Sequence, residues 1–218
     1  MTLTSLSEVP ISDDCVVVFD LDDTLCPERD FVLSGFRAIE LEIGQPVFER
    51  LRAFFDSGEK DAIGRVLSEI ETDRSKNDLI QVYRKHLPDL NLSPEIQTTL
   101  TRLKNSGHPL GIVTDGRSQT QRNKIRSLGL EDNVDEIVVS EEFGSEKPDP
   151  RNFQVFETKF PGRSYAYIGD NVRKDFIAPN ELGWITVCLL DRGQNIHSQN
   201  FDGVPKINLP TYRVQSLA

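Results

Sequence analysis

Two carboxylates, one residue apart, follow directly after an apolar run. Asp20 and Asp22 come after residues 16–19, Val-Val-Val-Phe, and such a run is typical of a strand buried on both faces of a parallel sheet. Strand alternation would place both carboxylates on one side and Leu21 on the other. Two convergent carboxylates could bind a hard cation. Taken alone, the segment leaves an alternative open, because aspartates also end strands and cap helices.

Three later segments also place polar residues after apolar, strand-like runs. They are Thr114, Lys147 and the pair Gly169-Asp170, with Asp175 five positions after Asp170. Strand ends of this kind predict a site at the mouth of a parallel sheet. Two alternatives stay open: an isolated lysine is usually a solvated surface residue, and Asp175 could simply cap the next helix.

The four segments together resemble the ordered motifs of the haloacid dehalogenase-like superfamily. Those motifs are Asp-x-Asp-x-Thr, a Ser or Thr after a strand, a Lys, and Gly-Asp-x-x-x-x-Asp. Here they read Asp20-Leu21-Asp22-Asp23-Thr24, Thr114, Lys147, and Gly169-Asp170 with Asp175. The resemblance covers most of the chain, from the first strand through Val187. It implies the phosphatase branch of the family and an α/β fold, with a Rossmann-like parallel-sheet core, helices on both faces and an inserted all-helical cap.

The resemblance further implies a Mg²⁺-dependent phosphatase that forms an aspartyl-phosphate intermediate. Asp20 would attack phosphorus, and Asp22 would protonate the leaving oxygen and then activate water. The ligands of Mg²⁺ would be the side chains of Asp20 and Asp170 and the backbone carbonyl of Asp22. Asp175 would orient these ligands without binding the ion, or would bind the ion in place of one of them.

Three further positions take roles at the phosphate by the same resemblance. The Thr114 hydroxyl and the backbone amides of Asp115 and Gly116 would bind phosphoryl oxygens. Lys147 would hold Asp20 close to the phosphate despite the repulsion of like charges.

Composition agrees with an ordinary globular enzyme of 218 residues, 37% hydrophobic and 28% charged. The formal net charge of -10 argues against general binding to nucleic acid or to an anionic membrane surface. The first residues lack the pattern of a secretory signal, and no apolar segment approaches membrane-spanning length. The sequence therefore predicts a cytoplasmic enzyme whose partner is a small phosphorylated metabolite, and it gives no prediction of oligomeric state.

The chain is predicted to divide into a core and a cap. Between residues 26 and 93 strand character is lost, and apolar stripes predict helices near 31–43, 47–55, 62–71 and 79–87. This segment is the predicted helical cap, while residues 1–25 and 94–218 form the predicted α/β core. In the core, Ser93 and Pro94 predict a helix start.

Beyond that helix, strands and helices are predicted to alternate, which requires a parallel sheet covered by helices. A short helix is predicted to begin at Pro179, and residues 212–214 are predicted to form a final edge strand. The other predicted strands span 109–114, 136–140, 165–169 and 184–189, and the helices between them span 118–128 and 150–159.

Other functions of the same fold remain alternatives. Haloacid dehalogenases typically lack the second carboxylate, so Asp22 favours phosphoryl transfer. Phosphosugar mutases commonly have Gly-Val where this chain has Asp23-Thr24. A non-catalytic binding module would have lost catalytic residues that are all present here.

The sequence gives one indication of the substrate. Residues 119–125 resemble the corresponding stretch of acylneuraminate phosphatases and pyrimidine nucleotidases. Sugar phosphates are therefore the first expectation and nucleoside monophosphates the second. The helix that carries this stretch is expected to lie remote from much of the cap.

Overall fold

The computed structural model describes residues 1–218 and contains one seven-stranded sheet in which every neighbouring pair is parallel. In chain order the strands are β1 (Thr2–Ser5), β2 (Val16–Phe19), β3 (Leu110–Thr114), β4 (Glu136–Val139), β5 (Tyr165–Gly169), β6 (Ile185–Leu189) and β7 (Tyr212–Ser216). Their spatial order is β1-β7-β6-β5-β2-β3-β4. From β2 the chain builds outward on one side through β3 and β4, and then on the other through β5, β6 and β7. Ligand sites of open α/β sheets lie at such a reversal, at the carboxyl ends of the strands.

Nine α-helices surround the sheet or extend from it. They are α1 (Glu28–Ile43), α2 (Phe48–Asp56), α3 (Ala62–Leu67), α4 (Lys76–Lys85), α5 (Pro94–Asn105), α6 (Ser118–Ser127), α7 (Ser140–Phe143), α8 (Arg151–Lys159) and α9 (Ile177–Glu181). Two short 3₁₀ helices span Leu6–Glu8 and Lys206–Asn208. None of the helices has both the length and the apolar character that crossing a membrane requires.

The four residues of β2 are fully buried and alternate between two apolar clusters. Val17 and Phe19 join the cluster that includes α5 and α6, and Val16 and Val18 join the one that includes α8 and α9. Burial of each such side chain contributes about 1.5–3 kcal/mol. Because β2 is packed on both faces, the residue that follows it, Asp20, starts from a fixed backbone position.

Helices α1–α4, which we call the helical insertion, contain a third apolar cluster of their own. Its buried members include Val32, Phe36 and Ile39 of α1, Leu51 of α2 and Leu79 of α4. The insertion follows β2 directly and returns to the sheet through α5, whose N-terminus is capped by the Ser93 side chain as predicted.

The predicted Rossmann-like α/β fold is confirmed, with differences at the far edge of the sheet. The sequence does not predict β1, because Leu3 is the one large apolar residue of its four and shows no periodicity. Leu3 pairs with Val214. The predicted edge position of residues 212–214 is therefore wrong, since β7 lies between β6 and β1.

Three helices begin earlier than predicted, and the first is α1, which begins at Glu28 and not near Phe31. Helix α4 begins at Lys76 because Ser75 and Asp78 form a reciprocal capping box, in which each side chain accepts from the other's backbone N–H. Helix α9 begins at Ile177, so the prediction that Pro179 starts it is wrong. Pro179 lies in the first turn, where N–H groups have no intrahelical acceptor and proline is tolerated.

Candidate active site

Lys147 joins two of the predicted aspartates in the interior. Its Nζ lies 2.9 Å from Oδ1 of Asp20 and 2.8 Å from Oδ1 of Asp175, and the lysine side chain is 0% exposed. Burial lowers the pKa of the Lys147 ammonium, but the charges of Asp175 and Asp20 outweigh burial and hold that pKa well above its usual value. The surface alternative for Lys147 is therefore wrong.

Asp175 is fixed by the loop that follows β5. Its Oδ2 accepts hydrogen bonds from the backbone N–H groups of Asp170 at 3.1 Å and Asn171 at 2.8 Å. This approach requires glycine at position 169, because a Cβ there would lie 2.5 Å from Oδ2 of Asp175. Asp175 thus binds the backbone of the loop before it and pairs with Lys147. The alternative that Asp175 caps the next helix is wrong, because the N-cap residue of α9 is Phe176 and no side chain caps that helix.

Asp170 projects from the end of β5 beside Asp20, without a salt bridge of its own. Its Oδ2 accepts a hydrogen bond from Nδ2 of Asn195 at 2.8 Å, and its backbone carbonyl accepts one from Nε2 of Gln199 at 2.9 Å. Burial and the charges of Asp20 and Asp175 raise the pKa of Asp170 to about 9. Burial likewise raises the pKa of Asp20 to about 7, although Lys147 opposes the shift.

The three buried aspartates suit a divalent cation. Oxygens of Asp20, Asp170 and Asp175 all lie within 4.8 Å of one another, and Lys147 is their one salt-bridge partner. Burial and the neighbouring carboxylates raise the pKa values of Asp20 and Asp170, and a bound cation would offset both effects. A set of oxygen donors is also what Mg²⁺ prefers. Because both oxygens of Asp175 already have partners, Asp20 and Asp170 are the side chains best placed to hold the ion.

Asp22, two residues after Asp20, is held by side chains of α6. Nζ of Lys124 lies 2.6 Å from Oδ1 of Asp22, and Nε2 of Gln121 donates to Oδ2 at 3.0 Å. Gln121 also donates to Oγ1 of Thr114 at 2.5 Å. The Asp22 side chain remains 21% exposed. Residue 22 therefore faces solvent while both its oxygens are held.

The loop after β3 brings the predicted phosphate-binding residues to the same place. Oδ1 of Asp115 accepts from the backbone N–H of Lys147 at 3.0 Å, and Oδ2 lies 2.7 Å from Nζ of Lys174. The N–H of Gly116 donates to Oγ of Ser140 at 2.9 Å, so this amide already has an acceptor. Of the predicted phosphate-binding residues, Thr114 and Asp115 line the cavity, and Thr114 brings a hydroxyl to it.

These residues border a polar cavity of about 100 Å³. Its lining contains no hydrophobic residue, and it brings Asp20, Asp22, Thr114, Asp115 and Asp170 together. Lys147 and Asp175 lie buried behind it. Residues that the sequence does not predict complete the lining: Asp23, Glu28, Asn171, Lys174 and His197.

Several functional contacts could not be found by motif matching. Gln121 and Lys124 lie three positions apart and so share one face of α6, a spacing visible in the sequence but without a partner to explain it. The expectation that this helix lies remote from much of the cap is wrong where α4 ends: Nδ2 of Asn123 donates to the carbonyls of Lys85 and His86 at 3.0 and 2.9 Å. Asn195 lies in a loop of low regularity with no sequence signal.

Acid, hydroxyl and buried ammonium groups at a strand-order reversal define a phosphoryl-transfer enzyme of the Rossmann-like class. Comparison with known proteins agrees. The profile of the haloacid dehalogenase-like hydrolase family matches residues 17–188. The glyceraldehyde 3-phosphate phosphatase of Methanocaldococcus jannaschii is 30% identical over 207 residues, which cover 80% of this chain and 84% of that protein. The glyceraldehyde 3-phosphate phosphatase of Methanopyrus kandleri is 28% identical over 88% of this chain and 91% of that protein.

A solved structure also shares the fold. The HAD-hydrolase YfnB of Bacillus subtilis, bound to magnesium, superposes with a TM-score of 0.66 at 22% identity over 93% of this chain and 94% of that one. The chain therefore belongs to the haloacid dehalogenase-like hydrolase family, and it is a phosphatase of that family.

Proposed function

We propose that the protein is a Mg²⁺-dependent phosphatase that hydrolyses a small phosphorylated metabolite through an aspartyl-phosphate on Asp20. The observation that carries the proposal is the contact of Lys147 with Asp20 at 2.9 Å, beside a polar cavity that Asp22 also lines. Lys147 orients the carboxylate and offsets the repulsion between it and an incoming phosphate. The second carboxylate supplies the proton transfer that a phosphate ester requires.

In the first half of the proposed reaction, a carboxylate oxygen of Asp20 forms a bond to phosphorus and the ester P–O bond breaks. The leaving oxygen takes a proton from Asp22. In the second half, water attacks the phosphorus of the aspartyl-phosphate and gives its proton to Asp22, so inorganic phosphate leaves and Asp20 is restored. Thr114 donates a hydrogen bond to a phosphoryl oxygen throughout.

The side chains of Asp20 and Asp170 and the carbonyl of Asp22 are the groups proposed to hold Mg²⁺. The bound ion supplies charge neutralisation at the phosphoryl oxygens. Asp175 positions these groups through Lys147 and through the backbone of Asp170. YfnB, which shares the fold, is bound to magnesium, and this supports the choice of Mg²⁺ as the ion.

A sugar phosphate is the favoured substrate, ahead of a nucleoside monophosphate. The two relatives described above are both named glyceraldehyde 3-phosphate phosphatase. The cavity is lined by carboxylates, a hydroxyl, one amide, one lysine and one imidazole, and it contains no hydrophobic residue against which a nucleobase could pack. These groups suit the hydroxyls of a short sugar chain.

The helical insertion is proposed to act as the cap, with residues 26–93 as one unit and residues 1–25 and 94–218 as the core. A cleft of about 720 Å³ separates the insertion from the loop after β6, and its walls include Arg29, Lys60 and Asn195. A cap that closes there would exclude bulk water and reject large substrates. We expect the specificity constant for folded phosphoproteins to be far below that for small esters, and equal constants would rule out closure.

The proposed function is tested with a panel of sugar, nucleoside and carboxylic-acid phosphates, assayed for released phosphate with Mg²⁺. Wild type should favour short sugar phosphates. Asp20→Asn should abolish turnover, and Asp73→Asn, a change at an exposed carboxylate whose side chain is 95% accessible, should not affect it. Undiminished turnover by pure Asp20→Asn would refute the proposal.

A further inference from the structure

Lys124 is a buried lysine that the reaction as described does not use. Its side chain is 3% exposed, and its one salt bridge is with Oδ1 of Asp22 at 2.6 Å. Buried lysine is unfavourable unless paired, and a methionine of similar length would fill the same space without the penalty. The ion pair with Asp22 therefore distinguishes lysine from an apolar residue at this position.

The Lys124 ammonium also contacts the helical insertion. Its Nζ lies 4.3 Å from the centre of the Phe31 ring, on α1, in a cation–π contact. Burial lowers the pKa of Lys124, but the charge and hydrogen bond of Asp22 outweigh it. The ammonium is thus held between one carboxylate and one aromatic face.

Helix α6, which carries Lys124, is joined to the end of α4 by hydrogen bonds on either side of Gln121. Oγ1 of Thr120 donates to the carbonyl of Arg84 at 3.1 Å, and Asn123 donates to two further carbonyls at the end of α4. One turn before Lys124, Gln121 holds the second oxygen of Asp22. Two side chains from one anchored helix therefore fix both oxygens of the same carboxylate.

We propose that Lys124 is a positioning residue for proton transfer, which holds the Asp22 carboxylate where it can serve the leaving oxygen. The inference rests on the proposed function, because it assigns Asp22 the proton-transfer role. Lys124 acts through Asp22 and does not contact the reacting phosphorus.

Substrates with different leaving groups separate this role from a merely structural one. An alkoxide such as that of glycerol 3-phosphate needs a proton when the P–O bond breaks, whereas p-nitrophenolate leaves without one. The ratio kcat/KM reports events up to formation of the aspartyl-phosphate and so isolates this step. General acid catalysis contributes about 10²–10⁴-fold, so loss of positioning should have a partial but large effect.

Lys124→Met is therefore expected to lower kcat/KM for glycerol 3-phosphate by about ten- to a hundredfold and for p-nitrophenyl phosphate by less than about threefold. Lys124→Arg should restore part of the loss because it keeps the charge. Arg126→Met, an exposed change on the same helix with a 61% accessible side chain, should match wild type for both esters. In the Asp22→Asn background, Lys124→Met should cause no further loss for glycerol 3-phosphate.

Equal losses for the two esters, or a further loss in the Asp22→Asn background, would overturn the assignment of Lys124. If Lys124→Met does not fold, Phe31→Leu takes its place. This change should also lower kcat/KM more for glycerol 3-phosphate than for p-nitrophenyl phosphate, by a smaller factor, and equal losses would overturn the assignment. Failure of the proposed function looks different. In that case Asp22→Asn itself would impair both esters equally, or Asp20→Asn would remain active.

Discussion

Nζ of Lys147 lies 2.9 Å from Oδ1 of Asp20, and no solvent reaches the lysine side chain. Tyr167, on the strand next to β2, provides a further partner: Nζ donates to its phenolic oxygen at 3.1 Å. A buried ammonium with several acceptors has one preferred position. The placement of Asp20, the proposed nucleophile, therefore depends on side chains that lie buried behind the cavity.

Tyr167→Phe is expected to reduce kcat about tenfold with little change in KM. The change removes one acceptor from a buried charge, worth about 1.5 kcal/mol, and leaves the packing almost intact. Tyr165→Phe is the matched control on the same strand, because its hydroxyl donates to the carbonyl of Phe160 away from the site. Equal effects of the two changes would show that Tyr167 acts only through stability.

Gly169→Ala is expected to lower both the free energy of unfolding and kcat. The added Cβ would displace the Asp175 carboxylate, which Lys147 and two backbone amides hold in place, and such overpacking typically costs about 1–3 kcal/mol. Gly111→Ala is the control, because its Cβ would instead meet the Phe156 ring, away from the cavity. Denaturant melts and kinetics of both variants check this. If the two variants lost similar amounts of kcat for the same loss in the free energy of unfolding, a specific role for Gly169 would be contradicted.

Magnesium is expected to raise the melting temperature of chelator-treated protein and to restore its activity, whereas Ca²⁺ should restore little. Binding of a cation to the folded state offsets the burial and the like-charge repulsion that raise the pKa of Asp170. Asp170→Asn should lose most of the Mg²⁺-dependent shift in melting temperature, while Asp73→Asn keeps it. A shift that survives Asp170→Asn would locate the ion elsewhere.

His86 should make stability depend on pH. Its Nδ1 donates to the carbonyl of Tyr83 at 2.7 Å, and its Nε2 lies 3.2 Å from Oγ of Ser34. Burial, with the charge of Lys124, lowers the pKa of His86. The unfolded chain therefore binds the proton more readily. The stabilisation is complete above the ordinary histidine pKa of about 6.5 and is lost as pH falls from that value through the lower pKa of His86 in the folded protein.

The measurement is the free energy of unfolding of wild type and His86→Gln at pH 7.5 and at pH 5.5. We expect the wild type to lose more of it between the two pH values than the variant does. Parallel changes in the two proteins would show that His86 does not titrate in this range with an altered pKa.

The sequence predicted the sheet and the gathering of strand-end residues well because both follow from local patterns. The apolar run before Asp20 specifies a buried strand, and parallel strands necessarily present their carboxyl ends at one edge. The position of β7 was not predictable, since its outer neighbour β1 has too few apolar residues to show a period.

The side-chain contacts around Asp22 could not be predicted from the sequence either. Lys124 reads as an ordinary surface cation on a polar helix until the fold places it between Asp22 and Phe31. Asn195 lies in a loop without periodicity, and it is 25 residues away in the sequence from Asp170, to which it donates a hydrogen bond. Pairings of this kind depend on tertiary geometry, which local patterns do not contain.

Acid quenching during turnover tests the central claim most directly, because it traps a covalent phosphoenzyme. Asp22→Asn protein is mixed with p-nitrophenyl phosphate, whose leaving group needs no proton, and Mg²⁺, and is then quenched, digested and mapped by mass spectrometry. We expect one added phosphoryl group on the peptide that contains Asp20, sensitive to hydroxylamine and absent when Asp20→Asn is introduced. Phosphate release without any phosphorylated Asp20, or with the phosphoryl group on another residue, would contradict the account.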